Sequence, residues 1–146
     1  MRGFPDLPPV WFTGAAAVAW LLARYIPVAT LSLPRWLGWA VFAFGFFWAG
    51  SAALLFLVKR TPVEPRHTPR VLLADFHFQI NRNPIYSGLT LMLFGWALVL
   101  GALTAFLPAA AFPIIITRRF IGDEERRLRA AFGKAAEEYL ARTRRW

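Results

Sequence analysis

Two short polar stretches in an otherwise apolar chain carry the residue types that could do chemistry. The first is Arg82-Asn83-Pro84-Ile85-Tyr86-Ser87-Gly88. Asn83 as N-cap and Pro84 at the first helical position would start a helix here. Free N–H groups at that helix start, beside Arg82 and the hydroxyls of Tyr86 and Ser87, make a site for a carboxylate or phosphate. Gly88 leaves the backbone open to a ligand one turn in. The second stretch runs from Arg118 to Gly133, RRFIGDEERRLRAAFG. Asp123, Glu124 and Glu125 favour the dipole of a second helix at its start, and Glu125 can pair with Arg129 at i, i+4. An anion site beside a carboxylate pair suits a ligand bearing both a carboxylate and an amine. Either stretch alone also reads as helix capping and headgroup anchoring, so the chemistry depends on whether the two meet.

Other chemistries lack their residues. The 146-residue chain has no cysteine, which removes disulfides, thiolate metal sites and cysteine nucleophiles. His67 and His77 with Asp75 lack a third ligand at a recognisable spacing, so no metal site is expected.

The elements that must position these residues are membrane helices. Hydrophobic residues make up 58% of the chain and charged ones 17%, with 7 Trp and 14 Phe, far from the mix of a soluble domain. A spanning helix needs about 20 mostly apolar residues. Four segments are read as spans, at about 10–28, 36–58, 85–101 and 104–117, within a single domain covering residues 1–146. Small residues from Ala15 to Ala19 imitate a signal-peptide cleavage site, but the apolar run continues past them and a second span follows at once. The 33 residues from Ile85 to Thr117 carry no charge. Gly101, Pro108 and Pro113 interrupt them, which predicts a tight helical hairpin turning near Gly101 to Leu107. After it, Leu128, Ala131, Phe132, Ala135, Tyr139 and Arg142 recur at helical steps, giving an amphipathic C-terminal helix over about 122–143. The fold class is therefore all-α and polytopic.

Charge sets the orientation. Of the 17 Lys and Arg, only Arg2, Arg24 and Arg35 precede Lys59. With four spans, the basic loop and the basic tail share one side, which positive-inside logic makes cytoplasmic, so the chain is expected in the cell inner membrane with its site and C-terminus in the cytoplasm. The net charge of +9 needs no nucleic-acid partner, because anionic membrane lipids account for it. A hairpin returns the chain to where it started, so Arg82 to Gly88 and Asp123 to Arg127 should meet at that face.

Taken together, Arg82-Asn83-Pro84-x-Tyr86-x-Gly88, then Glu124-Glu125-x-x-Leu128-x-x-x-Phe132-Gly133, then Tyr139 and Arg145-Trp146, resemble the isoprenylcysteine carboxyl methyltransferase and phospholipid methyltransferase superfamily of small membrane enzymes. The resemblance covers roughly Thr61 onward. It implies S-adenosylmethionine-dependent methyl transfer to a lipophilic acceptor at the membrane face. It also implies a cofactor pocket with Arg82, Asn83, Tyr86 and Gly88 on one wall and Glu124 and Glu125 on the other, Glu125 being the candidate proton acceptor. The chain departs from the family pattern at Phe76-His77-Phe78, where a Gly-Pro-aromatic step is common, and at Ala136, where a tyrosine is common. Asn83 in place of His is a frequent variant in that family, and it removes a titratable group. Two other classes compete. A small exporter would need an acidic residue inside a span, and none of the 8 Asp and Glu lies in one. A non-catalytic membrane subunit would keep the fold and lose the chemistry.

Overall fold

The computed structural model describes residues 6–61, 70–74 and 76–146. His67 and Asp75 lie outside them. The elements are α1 (Pro8–Tyr25), α2 (Arg35–Val58), a short α3 (His77–Ile80), α4 (Pro84–Leu100), α5 (Phe106–Ile116), α6 (Gly122–Phe132) and α7 (Lys134–Arg142). A 3-10 turn, Leu103–Ala105, leads into α5, and a π-turn, Thr117–Ile121, joins α5 to α6. Among the described residues there is no strand, only two isolated bridges, Thr30 with Ala102 and Asn81 with Arg144.

Among the described residues two helices are long and apolar enough to cross a membrane: Arg35–Val58, 24 residues with mean hydropathy 2.1, and the continuous helix Leu103–Phe132, 30 residues with mean hydropathy 1.3. Pro84–Leu100 is a shorter apolar helix. The outward face of α2 presents Trp36, Trp39, Phe44, Phe46, Phe47 and Leu57, all exposed. A face of that size and composition fits hydrocarbon and not water.

The closest helix approach is an antiparallel seam between α2 and α4 made by glycines seven residues apart on each. A Cβ at Gly45 would lie 2.6 Å from the Gly88 carbonyl, and one at Gly95 would lie 2.5 Å from the Phe42 nitrogen. Gly38 faces Gly95 and Val99 in the same way. Small residues let backbones approach where lipid offers no hydrophobic drive. On the other flank, α1 packs on α4 and α5, and Tyr86, Leu93, Phe112, Ile116, Phe120 and Ile121 form the largest buried cluster with Trp11 and Phe12 against it.

The hairpin turns more tightly than the prolines suggested. Gly101, at φ 66°, and the extended Ala102 reverse the chain, while Pro108 falls in the first turn of α5 and Pro113 lies inside it. Pro113 lacks the N–H that would reach the carbonyl of Ala109, a loss of one backbone bond that is tolerated where neighbouring helices pack around it. The C-terminal helix differs in the opposite sense. It is not one rod over 122–143: α6 continues α5, and Gly133, at φ 51° and ψ −122°, breaks it from α7. The apolar residues buried by α7 are accordingly Ala136, Tyr139 and Leu140.

Candidate functional site

The site is built where the start of α4 meets α6 and the tail after α7. The turn before α4 is set by asparagines: the Asn83 N–H donates to the Asn81 side chain at 3.0 Å, and both residues are buried. Asn83 occupies the N-cap position but does not cap. Its side-chain amide instead donates to the Arg145 carbonyl at 2.9 Å. The Arg82 N–H donates to the Arg144 carbonyl at 2.8 Å, so the tail runs beside this turn like a short paired strand.

Arg82 is a strut. Its Nε donates to the Thr143 carbonyl at 2.6 Å, its Nη2 to the Leu140 carbonyl, and its Nη1 to Glu125 Oε1 at 2.9 Å. The guanidinium thus holds the C-terminal carbonyls of α7, where a cation is favoured. Glu125 is 6% exposed and is also gripped by Arg145, through Nε on Oε1 at 2.9 Å and Nη2 on Oε2 at 2.8 Å. The expected Glu125–Arg129 pair is absent among these contacts because Glu125 points inward, and Arg129 bonds Glu137 at 2.9 Å.

Glu124, about 100° around the helix from Glu125, faces α4 and accepts from the Tyr86 hydroxyl. Trp146 Nε1 donates to Thr117 Oγ1 at 3.2 Å, which brings the tail to the π-turn. Tyr139 is buried, donates to the Phe78 carbonyl at 2.9 Å, and burial pushes its hydroxyl up to about 12.

The π-turn decides which faces these carboxylates take. In an unbroken α-helix, Glu125 would sit about 180° from the inward-facing Ile116, nine residues earlier. One extra residue in the π-turn brings that angle to about 80° and turns Glu125 to the interior.

The two glutamates differ in character. Burial pushes the Glu125 carboxyl up, but the hydrogen bond and charge of Arg145, then the charge and hydrogen bond of Arg82, outweigh it and hold it below the ordinary carboxylate range. For Glu124 burial dominates. The Tyr86 hydrogen bond pulls it down, the charges of Asp123 and Glu125 push it up, and it ends above that range. Glu125, the expected proton acceptor, is thus held between two guanidinium groups. A carboxylate with both oxygens on guanidinium groups and a lowered pKa is a clamp, whereas Glu124 has the pKa direction of an acid–base group.

Of the residues singled out from the sequence, Arg82, Asn83, Tyr86, Glu124 and Glu125 come together here. Gly88 does not join them. Its open face is filled by α2, since a Cβ there would lie 2.6 Å from the Ala49 Cβ and from the Gly45 carbonyl. Arg145 and the carbonyls of Leu140 and Thr143 were missed as site residues. Backbone acceptors leave no mark in residue types, while the Arg145-Trp146 pair of the family pattern was the available signal for the first.

Residues 33–135 match the phospholipid methyltransferase family, more than two thirds of the chain. The chain belongs to that family. The match spans α2 through α6, including Arg82, Tyr86, Glu124 and Glu125, and ends before the tail that supplies Arg145. No curated protein and no solved structure matches the chain significantly. Membership of the phospholipid methyltransferases implies methyl transfer to a lipid-type substrate, and the apolar helices agree with a membrane protein.

Proposed function

We propose that the chain transfers a methyl group from S-adenosylmethionine to a lipophilic acceptor at the cytoplasmic face of the inner membrane. Four spans, about 10–28, 36–58, 85–101 and 104–117, place the basic loop and tail on that side. The observation that carries this reading is the apposition of Tyr86–Glu124 and Arg82–Glu125–Arg145 at one end of the helices of a family member.

The donor set fits the cofactor's methionine end. Glu124 offers a carboxylate to an ammonium, and Arg145, whose side chain is 43% exposed, offers N–H groups to a carboxylate. Trp146, which is exposed, supplies an aromatic face for a sulfonium. The cofactor, when bound, supplies an already activated methyl group. Arg82 and Asn83 act at one remove: they tie the tail to α4 and so fix Arg145 and Trp146. Glu125 keeps Arg145 oriented. Glu124, with its raised pKa, can take the proton released by an amine or thiol acceptor. The remaining requirement is positioning and exclusion of water, which a docked tail meets.

Calorimetric titration of S-adenosylmethionine into detergent-purified protein tests this. Binding in the micromolar range by the wild type, lost in Glu124→Gln and Arg145→Ala, is expected. A wild type that binds nothing removes the enzyme reading. The second reading, a non-catalytic subunit, is favoured by the mutual neutralisation of Arg82 and Glu125, and it predicts a folded protein that binds no cofactor.

A further inference from the structure

A groove between α1 and α5 takes no part in the site above. Its volume is about 780 Å³. Val10, Gly14, Val18 and Leu22, one stripe of α1, face Ala111 and Ile115 of α5 across it. From Val10 to Leu22 the helix rises about 18 Å, close to half of the roughly 30 Å hydrocarbon core of a bilayer. The groove is thus as long as one leaflet is deep.

One end of the groove is polar and rigid. Arg119 Nε donates to Asp6 Oδ1 at 2.5 Å, Trp11 Nε1 donates to the same oxygen at 3.1 Å, and the Arg119 guanidinium stacks 5.0 Å from the Trp11 ring. Trp and Arg held together in this way belong at headgroup depth. The Arg119 side chain is 43% exposed, and Arg118 beside it is also exposed, so Asp6 leaves the rim net positive. An apolar slot of one-leaflet length ending in a fixed cation complements a chain that ends in an anion.

We propose that this groove seats one acyl chain of a glycerophospholipid, with the phosphate against the outer N–H groups of Arg119. The site rests on α1 and α5 lying in the bilayer and holds whether or not the chain transfers methyl groups.

Native mass spectrometry of the detergent-purified protein, with phosphatidylethanolamine and diacylglycerol of the same chains in equal amounts, tests it. A Cβ at Gly14 meets nothing within 4 Å, so Gly14→Phe fills the groove without displacing the fold. It should lower bound phosphatidylethanolamine at least about five-fold, as loss of a well-fitted chain implies. Arg119→Gln should reduce the preference for phosphatidylethanolamine over diacylglycerol about ten-fold, the scale of one charge-assisted hydrogen bond, and Arg119→Lys should retain most of it. Leu54→Phe, on the exposed face of α2, controls for lipid bound at random and should change neither number. Undiminished lipid in Gly14→Phe, or an unchanged preference in Arg119→Gln, overturns the proposal. S-adenosylmethionine binding by the same samples separates the two readings: lipid bound without cofactor refutes methyl transfer alone, and cofactor bound without groove-dependent lipid refutes this site alone.

Discussion

Glu125→Gln and Glu124→Gln, neighbouring and isosteric changes, should act in opposite directions. Glu125 is 6% exposed and accepts bonds from Arg82 and Arg145, whose side chains are 18% and 43% exposed. Removing one member of a buried ion pair destabilises by about 3–5 kcal/mol. The Arg145 share is screened by solvent and adds about 0–1 kcal/mol. An amide oxygen still accepts one of the bonds, so a loss of about 2–4 kcal/mol is expected, or a fall in melting temperature of about 6–12 °C for a chain of this size. At Glu124 the charged form is the one that burial disfavours, and glutamine keeps an acceptor for Tyr86. That change should stay within about 1 kcal/mol and can raise the melting temperature.

Thermal melts in detergent from about pH 2 to about pH 8 separate the two. A lowered folded-state pKa makes the stabilisation from Glu125 complete above the ordinary carboxylate pKa and lost as pH falls through its lower folded value. The gap between wild type and Glu125→Gln should therefore close in acid. Glu124 has the opposite linkage: its contribution is present below the ordinary pKa and lost as pH rises through the raised one, so any advantage of Glu124→Gln opens toward neutral pH. Equal shifts for both variants, or a gap at Glu125 independent of pH, would refute the assignment of clamp and acid–base group.

Arg82→Met should release the tail, because three of its bonds hold Leu140, Thr143 and Glu125; trypsin cleavage after Arg142 and Arg144 should rise about ten-fold or more while cleavage after Arg24 and Arg35 stays unchanged. Gly88→Ala should cost about 1–3 kcal/mol or more through overpacking against Ala49 and Gly45, whereas Gly50→Ala, whose Cβ meets nothing, should be neutral or stabilising in the same melts. Phe76→Gly should raise the melting temperature: Phe76 is 73% exposed and holds φ 48° and ψ −115°, a conformation costing a side chain about 1–3 kcal/mol. Affinity for S-adenosylmethionine should weaken as pH falls through the raised pKa of Glu124, since an ammonium pairs with the ionised form, and calorimetry at several pH values reads this directly.

Much of the architecture was legible because membrane helices announce themselves by length and composition. The start of α4 at Pro84 and its end beside Gly101 follow from the cap residues, and the uncharged run from Ile85 to Thr117 demanded a reversal, which begins at Gly101. The prolines misled because a helix packed among neighbours can absorb Pro113 at the loss of one backbone hydrogen bond. The glycine seam was present in the sequence as Gly38 and Gly45 against Gly88 and Gly95, but Gly88 read as a ligand approach because spacing does not say which helix lies opposite. Phe76 is the reverse case. The resemblance led to the expectation of glycine there, and the backbone at Phe76 takes a shape that glycine favours.

The sequence by itself determined an all-helical membrane chain and two polar stretches, one at the start of its hairpin and one after it. Those follow from hydropathy, cap grammar and charge, which act locally along the chain. Only the tertiary structure decided which charged group does what. Arg82 turned inward to hold carbonyls of Leu140 and Thr143, Glu125 closed between two guanidinium groups, and Glu124 was left to Tyr86. The physical reason is that burial and pairing, not residue type, set the state of an ionisable group, and both depend on a phase shift of one residue in the π-turn and a tail that returns to a loop some sixty residues away.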